Sequence, residues 1–187
     1  SDVCSSDLSN YLKSIPIPIK DSQWDAVGEE QIQLAIDEAE QYLEDYLDRH
    51  IASDYYTENV NGRGRPFLVM EEWPINSLIS VSSYDNSYSY ESYDVNDFII
   101  DSSAGMIAWK DKTSNTFDFG KTYTVEYNAG FVDVPLPIKK ALALQSIEML
   151  QPLFRKTNSA MSMVDLIPNS TELIVEMLEK YRRKRIG

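Results

Sequence analysis

The sequence predicts an α+β protein: a helical body, made of a long N-terminal helix and two C-terminal helices, with an antiparallel β-rich region inserted at about residues 54–128. Three observations carry this. Apolar residues from Ile32 to Ile51 recur every three or four positions, the spacing of one helix face. From Tyr55 to Tyr127 the texture changes to short alternating runs punctuated by glycine and proline. The stretch Lys121–Ile138 joins the two regimes. Tyr123, Val125 and Tyr127 alternate with Thr122, Thr124 and Glu126 as in a half-buried strand; Asn128-Ala129-Gly130 ends it, and Pro135 and Pro137 lead into an apolar-rich helix.

Taken in order, residues 1–8 read S-D-V-C-S-S-D-L, without an initiator Met, and look like one translated frame of a common sequencing-adapter oligonucleotide. They are expected to be an assembly scar and are set aside. That leaves 9–187 as a single domain and removes Cys4, the one cysteine, so no thiol remains for a disulfide or a metal. Ser9–Ile19 ends in I-P-I-P-I, an extended arm whose isoleucines need cover from the body or from a neighbouring subunit.

Gly28–Ile51 is predicted as one helix, with Ile32, Ala35, Ile36, Ala39, Tyr42, Leu43, Tyr46, Leu47, His50 and Ile51 on its apolar stripe. Glu29 and Glu30 suit the positive end of its dipole, and Arg49 and His50 the negative end. Asp37, Glu38, Glu40, Glu44, Asp45 and Asp48 fall on the opposite face, which is either simply solvated or turned toward a lumen or partner.

In the β-rich region, Asn61-Gly62 and Gly64 predict a hairpin between Tyr56–Val60 and Phe67–Met70. Trp73-Pro74-Ile75 closes that pair before Leu78, Ile79 and Val81 open the next strand. Tyr84–Tyr93 is a tyrosine- and serine-rich run: either a hairpin with one tyrosine face or an exposed contact loop presenting Tyr84, Tyr88, Tyr90 and Tyr93. Phe98–Ile100 and Met106–Trp109 flank Asp101–Gly105 as a further hairpin, and Lys110–Gly120 is a polar turn. Beyond the junction, a helix runs from about Pro137 to Met149, limited by Pro152. Arg155–Ser162 has loop composition. Asn169-Ser170-Thr171-Glu172 has capping-box spacing ahead of a last helix with Leu173, Ile174, Met177, Leu178 and Tyr181 as its apolar face. The tail at about 180–187 carries Lys180, Arg182, Arg183, Lys184 and Arg185, more cations than a helix dipole accounts for, and reads as a docking tail for an acidic partner.

The net charge of −13 argues against a nucleic-acid binder that works by neutralising phosphates. No apolar run approaches the roughly 20 residues that span a bilayer, so a soluble, unexported chain without membrane contact is expected. Catalysis finds little support. His50, the single histidine, reads as a packed and hydrogen-bonded residue, histidine and cysteine metal sites lack ligands, and Gly62-Arg63-Gly64 lacks the rest of a phosphate loop. Carboxylates are plentiful enough to leave a paired-carboxylate hydrolase open, but adjacent ones such as Glu71 and Glu72 would point to opposite faces of a strand. No catalytic residue, metal or cofactor is expected.

Several local strings, in their order, carry a resemblance. They are the helix end Tyr46–Arg49; Tyr55–Glu58 followed by Pro66–Met70; Trp73-Pro74-Ile75 before Ile79–Val81; Gly105–Trp109; and Val125–Gly130 ahead of Pro135 and the helix at Ile138–Ala141. In these the chain resembles the head-tail connector (adaptor) proteins of tailed bacteriophages, over about Glu29–Leu150. The resemblance implies a structural protein of the virion neck, assembled in the host cytoplasm as a ring, commonly of twelve copies. One side of the ring sits on the portal protein and the other receives a stopper or tail-completion protein. Double-stranded DNA would pass through it without specific binding, past an acidic lining assigned here to Asp37, Glu40, Glu44 and Asp48. The family brings no catalytic residues. A non-catalytic carbohydrate- or protein-binding module built on the Tyr84–Tyr93 surface is the alternative.

Overall fold

The computed structural model describes residues 21–84, 90–157 and 170–182. Arg49–Val132 form one compact unit, and the described residues on either side of it form another.

The helical unit begins with α1 (Asp21–Val27) and α2 (Glu29–Leu47). The first of these was not anticipated from the sequence. Gly28, at φ 82°, separates them, and Trp24 of α1 is buried edge-on against Phe154, with ring centroids 5.1 Å apart. Helix α2 buries Ile32, Ala35, Ile36, Ala39, Leu43 and Leu47, the central part of the predicted stripe. The stripe does not reach Ile51 as a helix. Asp48 adopts φ 58°, a left-handed conformation that Asp tolerates better than most residues, and donates its N–H to Glu44 O. Arg49 and His50 therefore lie past the helix end, and no basic residue sits in its last turn. Tyr42 is exposed and Tyr46 half-buried.

Helix α3 (Leu136–Thr157) continues through Pro152 instead of stopping there. Pro152 is exposed, while Leu150 and Phe154 on either side of it are buried. Burying two large apolar side chains, roughly 1.5–3 kcal/mol each, offsets the roughly 3 kcal/mol an interior proline costs. Helix α4 (Ser170–Leu178) packs on α3, and Ile174 and Leu178 are its buried apolar side chains. Ser170 donates to Glu148 Oε1 at 2.7 Å, tying the start of α4 to α3. Leu173, expected on the apolar face, is exposed, and Asn169 of the capping box lies outside the described residues.

Among its described residues the other unit holds seven strands. β1 (Asp54–Asn61), β7 (Thr122–Ala129), β3 (Ile75–Tyr84) and β4 (Tyr90–Tyr93) form an antiparallel sheet in the order β1-β7-β3-β4. β2 (Phe67–Val69), β6 (Met106–Trp109) and β5 (Phe98–Asp101) form a second, in the order β2-β6-β5. The β5–β6 hairpin forms as predicted, with Phe98 opposite Trp109. The β1–β2 hairpin does not. β1 pairs with β7 along its whole length and β2 pairs with β6, so residues 62–66 cross from one sheet to the other.

β7 is a central strand with alternating burial: Tyr123, Val125, Tyr127 and Ala129 point inward, as read from the sequence. They meet Val81 of β3, and Leu68, Phe98, Ile107 and Trp109 of the second sheet, in one core. Phe98, Trp109, Phe117 and Tyr123 form its aromatic centre, with Phe98 and Trp109 centroids 4.4 Å apart. Phe117 makes the Lys110–Gly120 turn less polar than its composition suggests: it is fully buried, and its N–H bonds Arg65 O at 2.8 Å.

Candidate functional site

No group of histidine, cysteine or acidic residues suited to a metal ion occurs among the described residues, and no described helix is long and apolar enough to cross a membrane. What the structure offers is surface.

The acidic residues of α2 do come together. Asp37 is exposed, Glu40 and Glu44 are half-buried, and Asp48 is exposed at the left-handed C-cap. Successive spacings of three and four place Asp37, Glu40 and Glu44 on one side of the helix. Glu40 feels this: partial burial first, then the charges of Glu44 and Asp37, push its carboxyl above the ordinary range. Asp37 is further held by Gln33, whose amide donates to it at 2.7 Å.

Of the basic tail, Lys180 and Arg182 fall among the described residues, whereas Arg183, Lys184 and Arg185 lie outside them. Both described cations rest on aromatic rings of their own unit. Lys180 Nζ is 4.7 Å from the Tyr181 ring centroid, and the Arg182 guanidinium is 5.2 Å from that of Tyr46. The Tyr46 hydroxyl in turn donates to Glu179 at 3.3 Å. Burial raises its pKa first, Glu179 raises it further, and Arg182 opposes the shift.

The tyrosine-rich run divides between two faces. Tyr84 and Tyr90 are opposite each other at the end of the β3–β4 pair, both exposed. Tyr93 is half-buried on the core side, 5.4 Å from Trp109, with its hydroxyl donating to Glu91 at 2.7 Å. Its pKa is pushed up to about 12, chiefly by burial. Tyr88 lies outside the described residues. Tyr84, Tyr90 and Tyr93 therefore do not share one platform.

Two buried polar arrangements escaped the sequence reading. Arg49 is 4% exposed, with its guanidinium 3.7 Å from the Trp73 ring centroid and 4.8 Å from that of Phe131, and its Nη1 donates to Trp73 O at 2.7 Å. The partners are 24 and 82 positions away by sequence number, and nothing local announces them. The second arrangement centres on Tyr127, whose hydroxyl donates to Glu58 and accepts from Glu72 N–H. Glu58 also accepts from Glu71 N–H at 2.9 and 3.0 Å, and burial still leaves its pKa raised against these bonds. Here a signal existed: alternation puts Glu58 beside Tyr56 and Val60, a carboxylate on the inward side of a strand. His50 joins this cluster from outside. It is largely exposed, contrary to expectation, and its Nδ1 lies 2.9 Å from Glu72 Oε1.

The class these features define is an α+β protein, a helical unit with acidic and basic surfaces and an inserted antiparallel region. The model of the head completion protein family matches residues 19–183, and the chain belongs to that family: it is a structural head-tail connector of a virion. The fold is shared with chains of gene transfer agent particles. A chain in the virion of the native particle aligns at 12% identity and TM-score 0.65, covering 98% of this chain and 92% of that one. One in the neck of the empty particle, computed with C6 symmetry, gives 11% identity and TM-score 0.61, with 98% and 90% covered. One in the neck of the native particle, computed with C12 symmetry, gives 11% and 0.58, with 91% and 96% covered. No curated protein matches significantly in sequence.

Proposed function

We propose that the chain assembles as a ring in the neck of its particle, seated on a portal protein and followed by a stopper or tail-completion protein. The observation that carries this reading is the family match over residues 19–183. The likeness to chains of necks computed with C6 and C12 symmetry supports a ring, and twelve copies fit the second of these. The acidic side of α2, with Asp37, Glu40, Glu44 and Asp48, is assigned to the channel. Like-charge repulsion acting over a Debye length of roughly 8 Å keeps passing DNA from adhering. A non-enzymatic role follows from the family.

The tail is assigned to the portal. Lys180 and Arg182 already lie against Tyr181 and Tyr46, so the docking charge falls to Arg183, Lys184 and Arg185. The test is electron microscopy of the protein mixed with its portal, together with a binding titration of a variant carrying Arg183→Ala, Lys184→Ala and Arg185→Ala. A ring on the portal, and an affinity about tenfold weaker at low salt (about 1.4 kcal/mol) for the variant, are expected. A protein that stays monomeric with portal present removes the ring. Unchanged affinity removes the docking tail alone.

A further inference from the structure

The four-stranded sheet has a face turned away from the core, and among the described residues it carries one charge. That charge is Glu126, whose carboxylate accepts from Ser80 Oγ at 2.8 Å. The rest is neutral. Asn59, Thr124, Ser82 and Ser92 stand side by side across all four strands. The next rank toward the hairpin ends on the exposed Tyr84 and Tyr90.

Such neutrality is unusual in a chain with 30 acidic and 17 basic residues. The face is also ordered before anything touches it. Thr124 Oγ1 donates to Asn59 Oδ1 at 2.7 Å, Thr122 Oγ1 to Asn61 Oδ1 at 3.0 Å, and Asn128 Nδ2 to Ser77 Oγ at 3.2 Å. Side chains fixed by cross-strand bonds lose little entropy on contact. A surface poor in charge, edged by tyrosine and lined by hydroxyl and amide groups has the composition of a protein-binding face.

We propose that this face contacts a second copy of the same chain. Charge selects the occupant. Two copies at net charge −13 repel wherever acidic surfaces meet; a ring contact is heterologous, so this face meets a different surface of the neighbour, and its own neutrality keeps carboxylates from being opposed there. A basic partner gains nothing from a neutral face. Area decides the kind of assembly: β1 and β7 have eight residues each, β3 ten and β4 four, which at about 3.4 Å per residue and about 4.8 Å between strands gives about 500 Å². That is short of the roughly 800 Å² per partner of a standard interface. A lone pair is therefore weak, and a closed ring, which holds each copy between two neighbours, is the arrangement that makes such a contact sufficient. The inference rests on the ring reading above.

A photo-crosslinking residue, p-benzoylphenylalanine, placed at Asn59 or at Ser92, both exposed, tests it in assembled particles. Irradiation is expected to yield a covalent band at twice the subunit mass. A band joining this chain only to a different virion protein, or no band, overturns the inference. In parallel, Asn59→Glu with Ser92→Glu should lower the yield of assembled necks at least tenfold, while Gln31→Glu with Gln41→Glu, equal in added charge and exposed on α2, should not. Equal effects of the two pairs also overturn it, provided circular dichroism shows both folded. Neck density containing a ring of this chain without the homotypic crosslink removes the face and leaves the ring; density without such a ring removes both.

Discussion

Tyr127→Phe deletes one oxygen from the middle of the β-rich unit, and the structure says what that oxygen does. Tyr127 is fully buried, donates to Glu58 and accepts from Glu72 N–H at 3.2 Å. Losing a donor to a charged acceptor costs about 1.5–3 kcal/mol, and stranding the Glu72 N–H adds about 1–3 kcal/mol. Glu58 keeps Glu71 N–H at 2.9 and 3.0 Å, which limits the damage, so a loss of about 2–4 kcal/mol is expected. With a urea slope of about 2 kcal/mol/M this moves the unfolding midpoint by about 1–2 M. In a Trp24→Phe background, fluorescence reports on Trp73 and Trp109 alone, both in this unit. The pH dependence is the sharper test. Burial raises the Glu58 pKa above 4.5, and the bond from Tyr127 pulls it back down. The O–H therefore favours the ionised carboxylate, and without it the pKa climbs further. The deficit of the variant is largest where Glu58 is ionised and shrinks as pH falls through the raised pKa toward 4.5. A midpoint shift that is the same at pH 7 and pH 4, or smaller than about 0.5 kcal/mol at pH 7, would refute the reasoning.

Two other substitutions probe the remaining polar features. Arg49→Lys keeps the charge but gives up the planar stack on Trp73 and Phe131; a loss of about 2–3 kcal/mol is expected in the same fluorescence assay, and an unchanged midpoint would show that charge alone matters there. Glu40→Gln should stabilise the helical unit at pH 7 by roughly 0.5–1 kcal/mol by removing a charge that is disfavoured first by partial burial and then by Glu44 and Asp37. The sign follows from a raised folded pKa: the wild type is undisturbed below 4.5 and loses stability as pH rises through that pKa, so the gain must vanish at pH 4 and shrink in 1 M salt, where the Debye length is about 3 Å. Equal gains at both pH values would mean that the substitution acts through something other than charge.

What the sequence made legible was periodic. The stripe of α2 and the alternation of β7 recur over many residues, and burial follows both closely from Ile32 to Leu47 and from Tyr123 to Ala129. The β5–β6 hairpin was legible because its strands are joined by a turn of four residues, 102–105. Stops were read less well. Asp48 ends a helix that the stripe alone would continue, and Pro152 fails to end one because its neighbours are buried. In both cases a local rule met a tertiary term of similar size. Helical spacing alone brings Asp37, Glu40 and Glu44 to one side of α2, whereas what that side faces is not written in the spacing. The neutral sheet face was not seen at all, since it is assembled from four strands whose order, β1-β7-β3-β4, is not their order in the chain.

Asn61-Gly62 shows why a turn signal can mislead. Glycine after asparagine favours a tight hairpin because both tolerate positive φ, yet Gly62 does not adopt one here. Its N–H donates to Lys121 O at 2.9 Å, and a Cβ on it would stand 2.0 Å from Asp118 O. The glycine is present because another backbone passes against it, the loop just before β7. Gly64 N–H likewise bonds Phe117 O at 2.7 Å, so the segment leaving β1 is held against the loop that enters β7 rather than folded back on itself. The two uses of glycine are indistinguishable in a string of letters, because one is a property of the residue's own dihedrals and the other of a neighbour some sixty positions away. The inward alternation of β7 was the better guide. A strand buried on one face and flanked on both edges needs two partners, and the long runs starting at Tyr55 and Ile75 were available to supply them.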